Sequence, residues 1–157
     1  GDHEQAQADF AQVLALSPDD VDAHYGMGQL YAAQGDLAAA VKEYETATKL
    51  DPEWSSPFNS LCWSYSLLRQ PKQAIGYCET AVNLDPDNPY VRDSRGLANA
   101  LLGQTDAAIA DFQYFVDELA DSDDDATAVA ARRGWIETIQ RGDDPFTDEL
   151  LDELRSE

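Results

Sequence analysis

Residues that could bind a metal ion or a nucleotide occur near the start of the chain, but each group lacks part of the required pattern. His3 and Glu4 are spaced as in zinc proteases, whereas Gln7 stands where the second histidine ligand belongs. Gly26 and Gly28 match half of a dinucleotide-binding motif, yet the surrounding pattern is helical and no strand precedes them. Neither a phosphate-binding lysine loop nor a nucleophile-elbow serine occurs. The sequence therefore predicts no enzyme and no cofactor.

An acidic run later in the chain resembles the beginning of a calcium loop. Asp121, Asp123 and Asp125 alternate as the first ligands of such a loop do. The loop also needs a glycine next and a bidentate glutamate at its end, and here Ala126 and Arg132 occupy those places. We interpret the run as a solvated loop whose last aspartates cap the following helix, and we expect no metal site.

Two cysteines, Cys62 and Cys78, admit two interpretations. They occupy packing positions in two predicted neighbouring helices, where free cysteines act as small apolar residues. Alternatively they form a disulfide that joins the two helices, which would favour an extracellular or periplasmic location. A cytoplasmic location also stays open, so the sequence leaves the compartment undecided.

Side chains suited to bind a protein segment recur on three predicted helices at steps of four and three residues. These triplets are Tyr25, Gln29 and Ala32; Asn59, Trp63 and Ser66; and Asp93, Leu97 and Ala100. Trp63 and Tyr25 could anchor a partner, because aromatic side chains bury a large area at low entropic cost. Gln29 and Asn59 could bond to an extended backbone, and Asp93 would favour a neutral or basic ligand. The alternative for Trp63 is that it packs only on its neighbours.

The charge balance limits the classes of partner. The 157 residues include 31 acidic and 10 basic side chains, a formal net charge of -21. Nucleic acids and anionic membranes are bound through clustered Lys and Arg, so we expect neither as a partner. No stretch approaches the roughly 18 apolar residues that a membrane span needs, and we expect no membrane insertion.

The elements that would position these side chains follow a repeat of 34 residues. Prolines, alanines, small residues and large residues each recur at this spacing. The columns are Pro18, Pro52 and Pro86; Ala6, Ala40, Ala74 and Ala108; Gly28, Cys62 and Gly96; and Phe10, Tyr44, Cys78 and Phe112. A fixed period of this length predicts a fold of stacked repeats.

Within each repeat the apolar spacing predicts two helices. Over residues 40–50 the apolar residues follow three- and four-residue steps and so lie on one face of a helix. Gly35 separates this helix from the one before it, because glycine can leave the helical region without steric cost. Pro52 ends it, because proline lacks an amide hydrogen and disfavours the helical conformation of its predecessor. Each repeat is thus predicted to be a helix, a tight turn and a second helix.

These residues resemble the tetratricopeptide repeat (TPR), which combines small and aromatic positions in two helices with a closing proline. Residues 21–54 match the pattern nearly throughout, through Gly28, Tyr31, Gly35, Ala40, Tyr44, Ala47 and Pro52. Residues 55–88 match with substitutions, among them Arg69 at the position of the turn glycine, and residues 89–119 match more loosely. The resemblance implies an all-α right-handed superhelix, a TPR solenoid, whose first helices line a concave groove.

The chain begins with a helix that lacks its repeat partner. Residues 1–20 align with the second helix of a repeat, so Phe10, Val13 and Leu14 would be exposed on one side. A monomer normally covers such a face with polar residues. We therefore expect either that this chain is a segment of a longer protein or that another copy covers the face.

Residues 120–157 depart from the repeat pattern and are predicted to form the acidic loop and a two-helix cap. A helix over about residues 127–141 closes the last repeat, and a short helix follows with Thr147 as its N-cap. The Asp-Pro-Phe-Thr stretch before it is similar to closing segments of some bacterial TPR arrays. Residues 1–119 would then form the array and residues 120–157 its cap.

The resemblance implies a non-catalytic scaffold that binds a neutral or basic protein segment in the concave groove. The predicted groove residues are Tyr25, Gln29, Asn59, Trp63, Tyr90, Asp93 and Leu97. Family members that bind acidic C-terminal peptides use Lys, Arg and Asn in this groove, and the basic residues are missing from these positions. One alternative is end-to-end association through the first helix into an oligomer or filament. Another is the docking portion of an enzyme whose catalytic domain lies outside this sequence.

Overall fold

Helices joined by short turns make up the computed structural model, which describes residues 2–155. Over this range the chain contains no strand. In chain order the helices are α1 (Asp2–Leu16), α2 (Val21–Ala33), α3 (Leu37–Leu50), α4 (Ser55–Leu67), α5 (Pro71–Leu84), α6 (Pro89–Leu101), α7 (Thr105–Glu118), α8 (Ala126–Gln140) and α9 (Asp148–Leu154). The helices α2 and α3, α4 and α5, and α6 and α7 pair as successive hairpins. The prediction of an all-α repeat solenoid is therefore confirmed.

Polar caps or prolines mark the start of four repeat helices, α2, α3, α5 and α6. The carboxylates of Asp20 and Asp36 accept hydrogen bonds from the amide three residues later, at 2.9 and 3.0 Å, and so cap α2 and α3. Helices α5 and α6 begin with Pro71 and Pro89, whose fixed φ suits the first helical turn. Proline lacks an amide hydrogen, and at this position no hydrogen bond is lost, because the first amides of a helix have no partner within it.

The turn inside each repeat requires a left-handed backbone conformation. Gly35 and Gly103 provide it in the first and third repeats, with φ of 78° and 74°. In the second repeat Arg69 adopts φ 57°, as its alignment with the turn glycines indicated. A residue with a side chain is disfavoured in this region by roughly 1–2 kcal/mol, so this turn keeps its geometry at a cost in stability.

Small residues and aromatic rings meet where the two helices of a repeat cross. The Tyr44 ring lies over Gly28, and a Cβ atom built on this glycine would be 2.5 Å from a ring carbon. The Phe112 ring lies over Gly96 in the same way, at 2.8 Å. The alanines of the second helices, Ala40, Ala74 and Ala108, are fully buried. Close approach of the backbones at these crossings therefore depends on the small residues that recur every 34 positions.

The middle repeat has a covalent link at its crossing. Cys62 on α4 and Cys78 on α5 form a disulfide with an S–S distance of 2.08 Å, and both residues are fully buried. Of the two interpretations that the sequence leaves open, the structure contains the bridged form. The link joins the helix that carries Asn59 and Trp63 to its repeat partner.

Helix α1 packs on α2 through an aromatic ring. Phe10 is half-buried, and its ring contacts Gly26 so closely that a Cβ atom there would lie 2.4 Å away. Leu14 is also half-buried, whereas Val13 is 39% exposed. The expectation that all three side chains are exposed is therefore wrong for Phe10 and Leu14, because α2 covers part of the face.

Two arginines of the third repeat occupy positions that are apolar in the other repeats. Arg95 forms two hydrogen bonds with the Asp111 carboxylate, at 2.8 and 2.6 Å. Arg92 donates to the Pro86 carbonyl at 2.9 Å, and its guanidinium lies 4.2 Å from the centre of the Tyr114 ring. Both cations thus find their partners within or next to their own repeat.

The cap packs on the last repeat and then turns back. Helix α8 lies against α7 and begins and ends one residue earlier than the sequence predicts. Thr147 caps α9 by accepting the Leu150 amide at 3.3 Å, as predicted. Asp125 is the N-cap residue of α8, as expected, but its side chain accepts no hydrogen bond from the start of this helix. Helix α9 returns along the solenoid and contacts α4.

Candidate binding cleft

A cleft of about 460 Å³ lies where the first helices of the three repeats face the cap. Helices α2, α4 and α6 form its walls, and α8 and α9 contribute from the cap. Its lining includes Gln29, Ala32, Asn59, Ser60, Trp63, Tyr90, Asp93, Arg132, Leu154 and Arg155. Five of the seven predicted groove residues, Gln29, Asn59, Trp63, Tyr90 and Asp93, thus lie around one cavity.

Helix α4 presents Asn59 and Trp63 one turn apart at the centre of the cleft. Trp63 is half-buried and packs against the apolar cluster that includes Leu67 and Leu97. The Oδ1 atom of Asn59 is buried and has no hydrogen-bond partner among the described residues. An unsatisfied buried acceptor costs about 1–3 kcal/mol, so this amide gains free energy when an N–H group reaches its oxygen. Gln29 is exposed on the neighbouring wall.

A buried ion pair forms part of the cleft wall. The Arg132 guanidinium of α8 donates two hydrogen bonds to the Asp93 carboxylate of α6, at 2.9 and 2.6 Å, and also stacks over Trp135 at 4.4 Å. Burial raises the pKa of the Asp93 carboxyl, and the arginine opposes this effect. Asp93 is 4% exposed, so its negative charge is taken up by the cap and is not presented to a ligand.

The rim of the cleft is connected to the acidic loop. Tyr90 is 48% exposed, and its hydroxyl donates to Asp125 at 2.8 Å. The Ser122 hydroxyl donates to the other carboxylate oxygen at 2.6 Å. Hydrogen bonds from Ser122 and Tyr90 lower the pKa of Asp125, since they stabilise its charged form. The acidic run is thus held beside the opening of the cleft.

Helix α9 supplies the opposite side of the cleft. Leu154 and Arg155 line the cavity, and Leu151 is fully buried in the same apolar cluster as Leu67. The Arg155 guanidinium donates to the Leu67 carbonyl at the end of α4 and to Asp152 at 2.8 Å. Asp148 at the start of α9 forms an exposed ion pair with Arg69.

Two predicted groove residues lie outside the cavity. The Tyr25 ring packs edge-on against Trp54, with centroids 4.6 Å apart, and lies 5.7 Å from the Tyr44 ring. Leu97 is fully buried and belongs to the apolar cluster beneath the cleft. Both residues support the cleft wall rather than lining the cavity.

Sequence reasoning missed the contribution of the cap, which is made by Arg132, Leu154 and Arg155. The sequence does show that Arg132 is unusual, because it lies three residues after Val129 and three before Trp135, on the apolar face of α8. A charged residue on such a face needs a partner of opposite charge, although the sequence alone does not identify Asp93 as that partner. No comparable signal indicates that α9 reaches α4.

The described residues contain neither a candidate metal cluster nor a candidate membrane-spanning helix. Over residues 2–155 no group of three or more His, Cys, Asp or Glu is arranged to hold a metal ion. In the part of the chain that the structure describes, none of the helices is long and apolar enough to span a bilayer.

Comparison with solved structures gives the same fold. YrrB, described as a TPR protein with an unusual peptide-binding site, aligns with a TM-score of 0.70 and 24% identity over 89% of this chain and 70% of its own. The first TPR of Spaghetti (RPAP3), bound to the HSP90 peptide SRMEEVD, aligns with a TM-score of 0.64 and 18% identity over 73% of this chain and 90% of its own. An O-GlcNAc transferase of Thermobaculum terrenum aligns with a TM-score of 0.66 and 22% identity, over 76% of this chain and 23% of its own.

Sequence relatives are much longer than this chain. The cellulose synthase 2 operon protein C of Komagataeibacter xylinus is 29% identical over 110 residues, which cover 70% of this chain and 8% of that protein. The DnaJ protein P58IPK homolog of Arabidopsis thaliana is 24% identical over 88% of this chain and 34% of its own length. The chain therefore spans about a third or less of these relatives.

Two family models, both described as tetratricopeptide repeat, match residues 1–62 and 64–134. Together they cover the helices that carry most of the cleft. The TPR fold supports a general role as a protein–protein interaction scaffold, and its members are typically non-enzymatic, although some similar proteins are linked to enzymes. The chain belongs to the tetratricopeptide repeat family.

Proposed function

We propose that this chain is a non-catalytic scaffold that binds a neutral or basic protein segment in the cleft between α2, α4 and α6. The observation that carries the proposal is the pairing on α4 of the half-buried Trp63 with the unsatisfied Oδ1 atom of Asn59. The indole offers a flat apolar surface, and the amide oxygen offers an acceptor for an N–H group of the partner once the side chain turns toward the cavity. Gln29 and Tyr90 add polar groups on either side.

The charges around the cleft favour a neutral or basic ligand. The two arginines that line it are both engaged, Arg132 by Asp93 and Arg155 by Asp152 and the Leu67 carbonyl. The acidic loop is held at the rim through Tyr90, and the whole chain has a formal net charge of -21. The field at the opening therefore attracts cationic groups and repels anionic ones.

The same charges argue against an acidic peptide as ligand. RPAP3 binds the HSP90 peptide SRMEEVD, which carries three acidic residues. Recognition of such a peptide needs lysines or arginines with unused charge, and both arginines that line this cleft are already paired. We therefore expect the partner of this chain to differ from HSP90-type peptides in charge.

Truncation of Trp63 tests the proposal. Wild-type and Trp63→Ala proteins are used to capture partners from the native source, and the captured segment is then titrated as a synthetic peptide by calorimetry. We expect Trp63→Ala to weaken binding by about 2 kcal/mol, as is typical of aromatic hot spots, with unchanged helix content by circular dichroism.

A matched control is Tyr114→Ala on α7. Tyr114 is a partly buried aromatic residue that packs under Arg92 and does not line the cleft. This variant should bind the peptide as the wild type does. Equal affinity of wild type and Trp63→Ala, or equal losses in both variants, would show that the cleft is not the binding site.

A second candidate function is self-association through α1. Two of its large apolar side chains are exposed, Val13 to 39% and Leu16 to 80%. An apolar face of this kind can bury itself against another copy and build an oligomer or filament. Native mass spectrometry over a concentration series, with Leu16→Glu as the comparison, distinguishes this function from docking, since only assembly predicts larger species that the substitution abolishes.

A further inference from the structure

Helix α9 occupies part of the surface that the proposed function assigns to a partner. Its residues Leu154 and Arg155 line the same cavity as Trp63, Asn59 and Gln29. Leu151 and Leu154, three residues apart on one face, are 0% and 6% exposed and belong to the apolar cluster that Trp63 packs against. A segment of the chain is thus already bound along the inner face of the solenoid.

The contacts that α9 makes indicate which side chains a partner would need in order to bind here. Two leucines enter the apolar surface, and an arginine directly after the second one donates to the Leu67 carbonyl at the C-terminus of α4. This carbonyl belongs to the last turn of the helix, where the intrahelical partners run out and a cation is favoured. The three contacts together form a pattern that a short amphipathic helix from another protein can reproduce.

The space that remains is too small for a protein segment while α9 is in place. A volume of about 460 Å³ is within the range of small-molecule pockets, about 300–1,000 Å³, and holds only a few side chains. A helix that contacts α2, α4 and α6 needs the positions that Leu154 and Arg155 occupy. Binding of such a helix therefore requires α9 to leave.

Helix α9 is too short to be stable on its own. It has seven residues, fewer than the roughly 12 that an isolated helix needs to be stable in water, so its structure depends on docking. Its polar face carries Asp148, Glu149, Asp152 and Glu153 within a chain of net charge -21. The ion pair of Asp148 with Arg69 is exposed and contributes little, so repulsion between like charges on the helix and on the scaffold weakens this internal contact. A partner with basic residues on the corresponding face is attracted instead.

We propose that α9 competes with the partner for the cleft, an inference that rests on the proposed function. The partner then presents a short amphipathic helix with two leucines three residues apart, followed directly by a basic residue. The scaffold is closed by its own α9 until such a helix replaces it. Because α9 is tethered, its effective concentration at the cleft is on the order of millimolar. The ratio of this concentration to the intrinsic dissociation constant of α9 sets the factor by which α9 weakens the binding of a partner.

The test uses the α9 sequence itself as the probe. A fluorescein-labelled peptide of residues 145–155 is titrated by fluorescence anisotropy against the full chain, either wild type or with Leu151→Asp and Leu154→Asp. We expect the double variant to bind the peptide at least about tenfold more tightly than the wild type, because its own α9 no longer competes. Adding Trp63→Ala to the double variant should abolish this binding.

Two control variants accompany the double variant in this test. Glu153→Gln changes an exposed position of α9 and should bind the peptide as weakly as the wild type. Arg155→Ala removes the contacts to Leu67 and Asp152 and should give an intermediate affinity. This variant keeps the test valid if the double variant does not fold.

In the unmodified chain, hydrogen exchange of the α9 amides should be at least about tenfold faster than that of the α5 amides.

The outcomes separate this inference from the proposed function. Equal peptide affinity in the wild type, the double variant and Arg155→Ala, or α9 amides as protected as those of α5, would overturn the inference. If partner capture still depends on Trp63 in that case, the cleft remains the binding site and only the role of α9 is lost. If the peptide binds as expected but partner capture ignores Trp63, the proposed function is lost instead.

Discussion

Gly28 determines how closely the two helices of the first repeat approach. The Tyr44 ring occupies the space where a Cβ atom would stand, so even a methyl group cannot be accommodated without moving the ring or the helix. Gly28→Ala should therefore lower the free energy of unfolding by about 1–3 kcal/mol, the usual cost of overpacking. Urea unfolding followed by circular dichroism measures this change.

Gly76→Ala provides the matched control for Gly28→Ala. Gly76 is an exposed helical glycine of α5 with nothing within 4 Å of a Cβ atom. Alanine there should raise the free energy of unfolding by about 0.5–1 kcal/mol, because a glycine in a helix costs conformational entropy. Destabilisation by both substitutions to the same extent would contradict the role assigned to the crossing at Gly28.

His24 makes the stability of the first repeat depend on pH. Its Nδ1 lies 2.7 Å from Glu43 and its Nε2 lies 2.9 Å from the Pro18 carbonyl, so both ring nitrogens face acceptors. Burial alone disfavours the charged imidazole, but these hydrogen bonds and the charges of Glu43 and Asp19 outweigh it and raise the pKa of His24 above 6.5. The folded state therefore holds the proton more tightly than the unfolded state.

The stabilisation from this proton should be complete below about pH 6.5 and should disappear as the pH rises through the folded-state pKa of His24. His24→Gln removes the titrating group, so the difference in free energy of unfolding between wild type and variant isolates the effect. Urea unfolding at intervals from about pH 5.5 to 9 should show this difference shrinking as the pH rises. A difference that grows with pH would contradict the assignment.

At the scale of helices, the α4–α5 hairpin differs from its neighbours by its disulfide. The neighbouring repeats have an aromatic ring on a glycine at this crossing, whereas here Cys62 and Cys78 are bridged. The link constrains the helix whose exposed face carries Asn59 and Trp63. It therefore stabilises the middle of the cleft as well as the repeat.

Removal of this bridge should destabilise the fold. The cysteines are 16 residues apart, and closing a loop of this length contributes about 3 kcal/mol in the chain-entropy model. We expect Cys62→Ala with Cys78→Ala to lower the free energy of unfolding by about this amount. Alkylation of the denatured, unreduced wild type should label no cysteine by intact mass, and labelling of both would show that the bridge is absent.

The helices of the array could be predicted because their contacts repeat, and the contacts of the cap could not. The crossing of Tyr44 over Gly28 recurs as Phe112 over Gly96, so a period in the sequence predicts both. The hydrogen bond from Arg155 to the Leu67 carbonyl joins residues 88 apart and occurs once, so no periodic signal indicates it. The cleft was therefore predictable on its α2, α4 and α6 walls and not on its cap side.

Within the array, the sequence did not show which of the predicted groove side chains point into the cavity. Spacing placed Tyr25 and Leu97 on the same helix faces as Gln29 and Asp93, but whether a side chain enters the cavity depends on what lies beside it. Trp54 packs against Tyr25. Leu97 is covered by the apolar cluster that includes the cap, which the repeat pattern does not describe.

For the whole molecule, the dominant electrostatic quantity is the net charge of -21. Most of the acidic residues are spread over the surface and repel one another more strongly when the chain is compact. Over residues 2–155 few ion pairs offset this repulsion, and those of Arg69 and Arg141 are exposed and easily screened.

Salt should therefore stabilise the fold. Raising NaCl from about 10 mM to 0.5 M shortens the Debye length from about 30 Å to below 10 Å, which weakens the repulsion. We expect the midpoint of thermal unfolding to rise over this range, and to rise equally in KCl, since screening does not depend on the cation. A midpoint that falls, or a response to one salt alone, would indicate that specific ion pairs or bound ions dominate.

The pair of Asp93 and Arg132 also constrains how this protein can change by mutation. Loss of either residue leaves the other as a buried, uncompensated charge, which typically costs about 3–5 kcal/mol. This is about half of the stability of a typical domain. Joint replacement by apolar residues of similar size can be nearly neutral. Among homologues the two positions should therefore covary, and a lineage that loses one charge should have lost the other.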